Sequence, residues 1–143
     1  MQLDELYRQV IMDHYQHPRN QGEIQGDAMK VDLKNPTCGD EIHLQLAIED
    51  DVVHDVRFKG AGCSISMSSA SMMTEAIKGK PLDEALLIMA EFKKMIRGEA
   101  YDEDALGDLE ALSGISKFPA RVKCATLAWN ALERIGESHG HTH

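Results

Sequence analysis

The most constraining feature of this sequence is a run of alternating side chains in its first half. Its apolar members are Ile42, Leu44, Leu46 and Ile48, and the residues between them are His43, Gln45 and Ala47. Successive side chains of a strand point to opposite faces of a sheet, so the run predicts a half-buried strand. Such a strand requires a sheet with one covered face and one solvated face, which is typical of antiparallel pairing.

Shorter alternating runs lie on both sides of this strand. Met29, Val31 and Leu33 precede it, and Val52, His54, Val56 and Phe58 follow it after an Asp50-Asp51 turn. The simplest arrangement is a three-stranded antiparallel meander. In this register His54 points to the apolar face, where we expect it to be half-buried rather than a metal ligand.

Helical patterns surround the predicted sheet. The first helix should end at His17-Pro18, because proline disfavours helix in the residue before it. Further helices are predicted over 64–77, from about Asp83 to Gly98, and from Pro119 onward. Candidate buried positions of the second of these are Leu82, Leu86, Leu87, Met89, Phe92 and Met95. The order of elements predicts an α+β fold, with helices packed against one face of the sheet.

Length and charge limit the function classes. The 143 residues, of which 43% are apolar, predict a single domain over 1–143. A net charge of −9 argues against nucleic-acid binding, which relies on clustered Lys and Arg. The absence of a long apolar run argues against a membrane span, and the charged first residues differ from a signal peptide, so we expect a cytoplasmic protein.

Two segments depart from regular patterning. Residues 98–118 are acidic and irregular, which favours a solvated excursion from the domain. The terminal residues, at about 137–143, include His139, His141 and His143 without an apolar anchor, so we expect a disordered tail.

Three cysteines direct attention to metal or sulfur chemistry. Cys38, Cys63 and Cys124 form no CxxC pair, but each lies at the edge of a predicted element. Such edges can converge at one end of a sheet, and Asp40 follows Cys38 after a single glycine. Three thiolates and one carboxylate would suit tetrahedral Zn²⁺, whereas an iron–sulfur cluster usually takes four thiolates. Buried cysteines without any ligand remain the alternative, because the spacing alone is not diagnostic.

The sequences around the cysteines resemble those of the U-type iron–sulfur cluster assembly family, which includes IscU and the NifU N-terminal domain. The three motifs are Asn35-Pro36-Thr37-Cys38-Gly39-Asp40, Gly60-Ala61-Gly62-Cys63-Ser64-Ile65-Ser66 and Arg121-Val122-Lys123-Cys124. Asp13-His14-Tyr15, His17-Pro18-Arg19-Asn20 and the stretch 79–85 fit the same family. The resemblance implies a three-stranded sheet with packed helices and a metal site at one end, built from Cys38, Asp40, Cys63 and Cys124.

Two departures from the scaffold pattern resemble the SufU branch of this family. Lys123 stands where scaffold members usually carry histidine before the third cysteine, and residues 98–118 look like an insertion. The branch implies a tightly bound zinc ion and a partner, a pyridoxal-phosphate-dependent cysteine desulfurase, that supplies sulfur. Downstream partners would be other iron–sulfur assembly proteins or apoproteins.

This resemblance yields a mechanistic hypothesis. Cys38 is expected to accept persulfide sulfur, leaving the zinc while Asp40, Cys63 and Cys124 hold it, because its turn is the least anchored of the three settings. Arg121, three residues before Cys124, could partly neutralise the site or could be only an exposed helix charge. Such a chain would act as an enzyme-like sulfurtransferase with its desulfurase.

Two other functions fit the same residues. The chain could be a scaffold on which a transient iron–sulfur cluster is built and passed to apoproteins. It could also be a structural zinc module that mediates protein contacts.

Overall fold

The computed structural model describes residues 3–35 and 39–138, and it contains the predicted order of helix, sheet and helices. Its elements are α1 (Leu3–Gln16), β1 (Met29–Asn35), β2 (Asp40–Glu49), β3 (Val52–Ala61), α2 (Ser64–Ile77), α3 (Leu82–Ile96), α4 (Glu103–Leu106), a 3-10 segment (Gly107–Lys117) and α5 (Pro119–Ser138). The first helix ends just before His17-Pro18, as the restriction imposed by proline predicts.

The three strands form one antiparallel sheet in the order β1-β2-β3, which confirms the predicted α+β class. Ile42, Leu44 and Leu46 of β2 are fully buried, so the alternating run faces the helices as expected. Asn35 pairs with Asp40 at the end of the β1–β2 ladder. This pairing places Asp40 at the same end of the sheet as the last residues of β3.

The prediction for His54 is wrong, because β3 contains an irregularity. Ala47 pairs with Asp55 and Ile48 pairs with Val53, so His54 is an extra residue without an opposite partner on β2. A bulge of this kind reverses the facing of the residues beyond it. Val53 is therefore buried and His54 is exposed.

The helices cover the inner face of the sheet. α5 packs on β1 and β2, and α2 packs on both α1 and α5. At the centre, Trp129 of α5 stacks on Phe92 of α3 with ring centroids 4.4 Å apart, and its indole N–H donates to Ser69 Oγ. Met67, Met72, Met73, Met89 and Met95 are buried, as expected for residues that fill gaps in a core. Leu87, in contrast, is 58% exposed, so its predicted burial is wrong.

The acidic segment is folded rather than a solvated excursion. It contains α4 and the 3-10 segment, which pack against α1, α3 and α5. Leu106, Leu109 and Leu112 are buried in the common core, with Asp108 and Glu110 between them in the sequence. The burial of three apolar side chains at helical spacing thus keeps this segment packed on the domain despite the charged residues around them. Of the predicted disordered tail, Glu137 and Ser138 still belong to α5, and 139–143 lie outside the described residues.

Across residues 3–35 and 39–138, every helix is too short or too polar to cross a lipid bilayer.

Candidate metal centre

Three elements meet at one end of the sheet and bring Asp40, Cys63 and Cys124 together. Asp40 is the first residue of β2, Cys63 immediately precedes α2, and Cys124 lies in the second turn of α5. One ligand atom from each residue, a carboxylate oxygen and two Sγ atoms, lies within 4.8 Å of the other two. The structure therefore places together three of the four predicted ligands, and this cluster could hold a metal ion.

The fourth predicted ligand, Cys38, lies outside the described residues. It belongs to the connection between Asn35 and Asp40, the two residues that close the β1–β2 ladder. Its role as ligand and as sulfur acceptor stays a prediction.

The carboxylate of Asp40 is the most constrained member of the cluster. Asp40 is only 2% exposed, and both of its carboxylate oxygens accept hydrogen bonds. The backbone N–H of Cys63 donates to Oδ1 over 3.1 Å, and the hydroxyl of Ser66 donates to Oδ2. The Sγ of Cys63 lies 3.5 Å from the same Oδ2. A carboxyl group is thus buried with both of its oxygens accepting hydrogen bonds, as burial of a polar group requires.

Gly62 provides the space that the carboxylate needs. A Cβ atom at this position would lie 2.6 Å from Oδ1 and 2.7 Å from Cγ of Asp40. Any side chain on residue 62 would displace the carboxylate or the backbone that leads into α2. The glycine before Cys63 therefore has a steric reason.

The two cysteines differ in exposure and in helix position. Cys124 is 2% exposed, whereas Cys63 is partly accessible to solvent. Cys63 occupies the N-cap of α2. Cys124 is the sixth residue of α5, beyond the first turn of that helix.

The donor set fits zinc. Zn²⁺ takes sulfur and oxygen ligands at about 2.3 and 2.0 Å, so the ligand atoms of a tetrahedral site lie about 3.5 Å apart. The Cys63 Sγ and Asp40 Oδ2 atoms, 3.5 Å apart, already have this separation. The three ligand atoms lie within 4.8 Å of one another, so small side-chain movements would bring all of them to the separations of a tetrahedral site.

Ser66 is the site residue that sequence reasoning missed. The sequence places it within the motif around Cys63 without a role of its own, and it is only 1% exposed. Its hydroxyl also lies 3.7 Å from Cys63 Sγ and 3.2 Å from the carbonyl oxygen of Cys124. The available signal was the spacing Cys63-x-x-Ser66, since residues three apart share one face of a helix.

Two basic residues precede Cys124 on α5, and both are exposed. Arg121 donates its backbone N–H to Phe118 O over 2.8 Å, and its side chain lies on the outer surface of the first turn. Lys123, in the position where scaffold members usually carry histidine, is also exposed. The supporting role of Arg121 remains a prediction.

An open groove begins one residue from Cys63. It has a volume of about 680 Å³ and lies between α1, the start of α2 and the 3-10 segment. Its lining includes Met12 and Phe118, which are 38% and 58% exposed, together with Ile11 and Ile65. Large apolar side chains thus remain accessible beside the cluster.

Sequence comparison identifies proteins similar to this chain. Residues 6–125 match the family described as NifU-like N terminal domain. The chain is 59% identical over 133 residues to the zinc-dependent sulfurtransferase SufU of Bacillus subtilis, covering 92% of this chain and 90% of the relative. It is 45% identical over 132 residues to the iron-sulfur cluster assembly scaffold protein IscU of Streptococcus pyogenes, covering 92% and 82% respectively.

Structural comparison gives the same grouping. A crystal structure from Fervidobacterium islandicum, of a protein proposed to be an iron-sulfur cluster assembly scaffold for the SUF system, matches with a TM-score of 0.84 at 37% identity. The match covers 87% of this chain and 92% of that one. The N-terminal part of a NifU-like protein from Brucella abortus has the same fold, with a TM-score of 0.83 at 18% identity over 98% of this chain and 96% of that one.

Proposed function

The chain belongs to the family of NifU-like N-terminal domains, and on this premise we propose that it is a zinc-dependent acceptor of persulfide sulfur in iron–sulfur cluster assembly. Its donor would be a pyridoxal-phosphate-dependent cysteine desulfurase, and its site of action the cytoplasm. The observation that carries the proposal is the group of Asp40, Cys63 and Cys124, whose ligand atoms lie within 4.8 Å of one another.

Cys38 is the fourth ligand in this proposal. It precedes Asp40 by two residues, and consecutive α-carbons are about 3.8 Å apart, so covalent geometry alone keeps its α-carbon within about 8 Å of that of Asp40. A bound zinc ion would favour the thiolate forms of the cysteines near neutral pH. Asp40, Cys63 and Cys124 are the better anchors, because two of them are almost fully buried and all three belong to regular elements or their caps.

The sulfur transfer would be an exchange between a thiolate and a persulfide. The Cys38 thiolate attacks the outer sulfur of the desulfurase persulfide, and a new S–S bond forms on Cys38. The S–S bond within the donor breaks, and the donor cysteine leaves as a thiolate. The transferred sulfur keeps its oxidation state, so the step needs neither an external oxidant nor a reductant. Arg121, exposed one helical turn before Cys124, is proposed to offset part of the negative charge of this end.

The apolar groove supports a protein donor rather than a small-molecule donor. Met12 and Phe118 are exposed beside the cluster, and a docked protein would cover them. Partly accessible Cys63 lies at the same edge, so a partner seated on the groove would lie directly over the metal centre.

The test combines metal analysis with a desulfurase assay. The zinc-loaded protein should accelerate sulfide release from cysteine by the desulfurase and should gain the mass of one sulfur atom on Cys38. Cys38→Ala should abolish this gain, whereas Cys63→Ala and Cys124→Ala should primarily lose zinc. Lys34→Ala, an exposed charge on the same hairpin, is the matched control and should behave as wild type. Undiminished sulfur transfer by Cys38→Ala would reject the assignment.

A cluster scaffold is the second candidate function. The relative from Streptococcus pyogenes is named a scaffold, and three cysteines with an aspartate could also hold a cluster. A coloured, labile cluster that passes to an apoprotein would favour this function. A colourless protein with one zinc ion and an effect on desulfurase turnover favours the first, and tight zinc without such an effect leaves a structural zinc module.

A further inference from the structure

We propose that Ser66 is a positioning residue for the metal ligand Asp40, and that its hydroxyl sets the affinity of the centre for its metal. The inference rests on the proposed function in one respect, namely that Asp40 is a ligand. It concerns a residue outside the ligand set, and it makes a separate prediction about how the carboxylate is held.

Two groups at the N-terminus of α2, a backbone N–H and a side-chain hydroxyl, donate to the carboxylate of Asp40. The Cys63 N–H at the start of α2 holds Oδ1, and the Ser66 hydroxyl one turn later holds Oδ2. The first donor belongs to the backbone and persists under any substitution of a side chain. Ser66 is therefore the side chain through which substitution changes the orientation of the carboxylate.

Ser66 also connects the carboxylate to the helix that carries the second thiol. Its Oγ lies 3.2 Å from the carbonyl oxygen of Cys124 as well as next to Asp40. A hydroxyl has one proton and donates to one acceptor at a time, and hydrogen bonds to an ionised acceptor are the stronger ones. The proton is thus assigned to the carboxylate.

The surroundings make this hydrogen bond important. Asp40 and Ser66 are 2% and 1% exposed, so water has little access to replace a lost donor. Without the hydroxyl, Oδ2 loses its oxygen donor and keeps Cys63 Sγ at 3.5 Å, so the carboxylate is held less firmly in its orientation toward the thiols. Groups that orient metal ligands in this way typically change metal affinity by about 10- to 100-fold when they are removed.

The chain contains a close internal control. Ser69 lies one turn after Ser66, is fully buried, and donates to Ala125 O over 2.6 Å. It also accepts from the indole of Trp129, so its loss disturbs the packing of α2 against α5 without touching Asp40. Ser69→Ala therefore separates a general packing defect from a specific effect on the carboxylate.

The experiment measures zinc affinity by competition with a chromophoric chelator, and the absorption spectrum of the Co²⁺-substituted protein. Ser66→Ala should bind zinc about 10- to 100-fold more weakly than wild type. Its thiolate-to-cobalt absorption should persist while the ligand-field bands shift, because the sulfur ligands stay and the oxygen ligand moves. Ser69→Ala should keep the wild-type affinity and spectrum.

A second pair of variants isolates the hydroxyl itself. Ser66→Thr and Ser66→Val introduce side chains of nearly equal shape, of which only threonine can donate to Asp40. The Ser66→Thr variant should bind zinc more tightly than Ser66→Val. The ratio of their affinities should recover most of the ratio between wild type and Ser66→Ala. Equal affinities in this pair, or equal losses in Ser66→Ala and Ser69→Ala, would overturn the inference. If the wild-type protein itself binds neither zinc nor cobalt through thiolates, the proposed function fails as well, so the two failures are distinguishable.

Discussion

Two positions along α2 use a serine side chain for different chemistry. Near the N-terminus, Ser66 donates to the Asp40 carboxylate beside two cysteines. In the middle of the helix, Ser71 Oγ lies 2.8 Å from Nδ1 of buried His14 and accepts the backbone N–H of Arg19 over 2.9 Å. The hydroxyl has one proton and two acceptor lone pairs, so the donor in the Ser71–His14 bond depends on the tautomer of the imidazole.

The difference between these two positions shows what turns a buried polar cluster into a metal centre. Around His14, a cavity of about 290 Å³ is lined by Arg19, Glu75 and Asp108 as well as apolar side chains. Among the described residues, however, His, Cys, Asp and Glu ligand atoms converge as a group of three only at Asp40. Serine hydroxyls thus hydrogen-bond to buried polar groups at both positions, but only the position beside Asp40 combines them with thiols.

The sharpest way to break the comparison is to fill the space beside Asp40. Gly62→Ala would place Cβ 2.6 Å from Oδ1, so the carboxylate or the start of α2 must shift. We expect zinc affinity to fall by at least the 10- to 100-fold that is typical of disturbed ligand orientation, roughly 1.4 to 2.7 kcal/mol. Chelator competition measures the loss.

Gly114→Ala is the matched control for this variant. A Cβ at this glycine of the 3-10 segment meets no atom within 4 Å, so its zinc affinity should equal that of wild type. A wild-type affinity in Gly62→Ala would show that the orientation of Asp40 does not matter for metal binding.

The second prediction concerns Ser71, in the middle of α2. Ser71→Ala removes the partners of both His14 Nδ1 and the Arg19 N–H, and buried polar groups left without partners typically cost about 1 to 3 kcal/mol. The free energy of unfolding of the metal-free protein, measured in urea, should fall by that amount, while zinc affinity stays at its wild-type value.

Ser68→Ala sharpens this result. Ser68 donates only to Ile11 O of α1, over 2.7 Å, so its removal should cost less than the removal of Ser71. A change in zinc affinity in Ser71→Ala would mean that the Ser71–His14 contact and the metal centre are energetically coupled rather than independent.

The smallest effect is a pH dependence of stability. Burial lowers the pKa of His14 below its ordinary value of 6.5, assisted by the positive charge of Arg19 and opposed by Asp13, Glu75 and Asp108. Between the lowered pKa and 6.5 the unfolded chain binds more protons than the folded chain, so stability is complete above 6.5 and falls as the pH decreases through this window.

Urea unfolding of the metal-free protein at several pH values measures this effect. His14→Asn, which lacks a titrating group, should lose less stability than wild type as the pH decreases. Parallel curves for the two proteins would contradict a buried, neutral His14.

Local patterns predicted the sheet and helices because period-two and helical alternation reflect one covered face. These patterns gave wrong predictions where the side that is buried changes within one element, or where a segment is buried only by distant elements. The extra residue at His54 depends on the pairing of β3 with β2, which the sequence of β3 alone does not encode. In the acidic segment, Leu106, Leu109 and Leu112 are buried by α1, α3 and α5, so their burial depends on tertiary packing that composition does not reveal.

The sequence predicted which residues could be metal ligands, but not the residues that position those ligands. Thiols and a carboxylate at element edges indicated Asp40, Cys63 and Cys124, and the family resemblance assigned them to one centre. The roles of Gly62 and Ser66 could not be predicted, because they exist only once β2, α2 and α5 meet.

X-ray absorption at the zinc edge of the purified, zinc-loaded protein tests the central claim most directly. The predicted spectrum has three sulfur atoms at about 2.3 Å and one oxygen at about 2.0 Å. In Asp40→Ala the oxygen contribution should change while the three sulfur atoms remain. A zinc ion with nitrogen and oxygen ligands alone, or a spectrum unaffected by the loss of Asp40, would contradict the account.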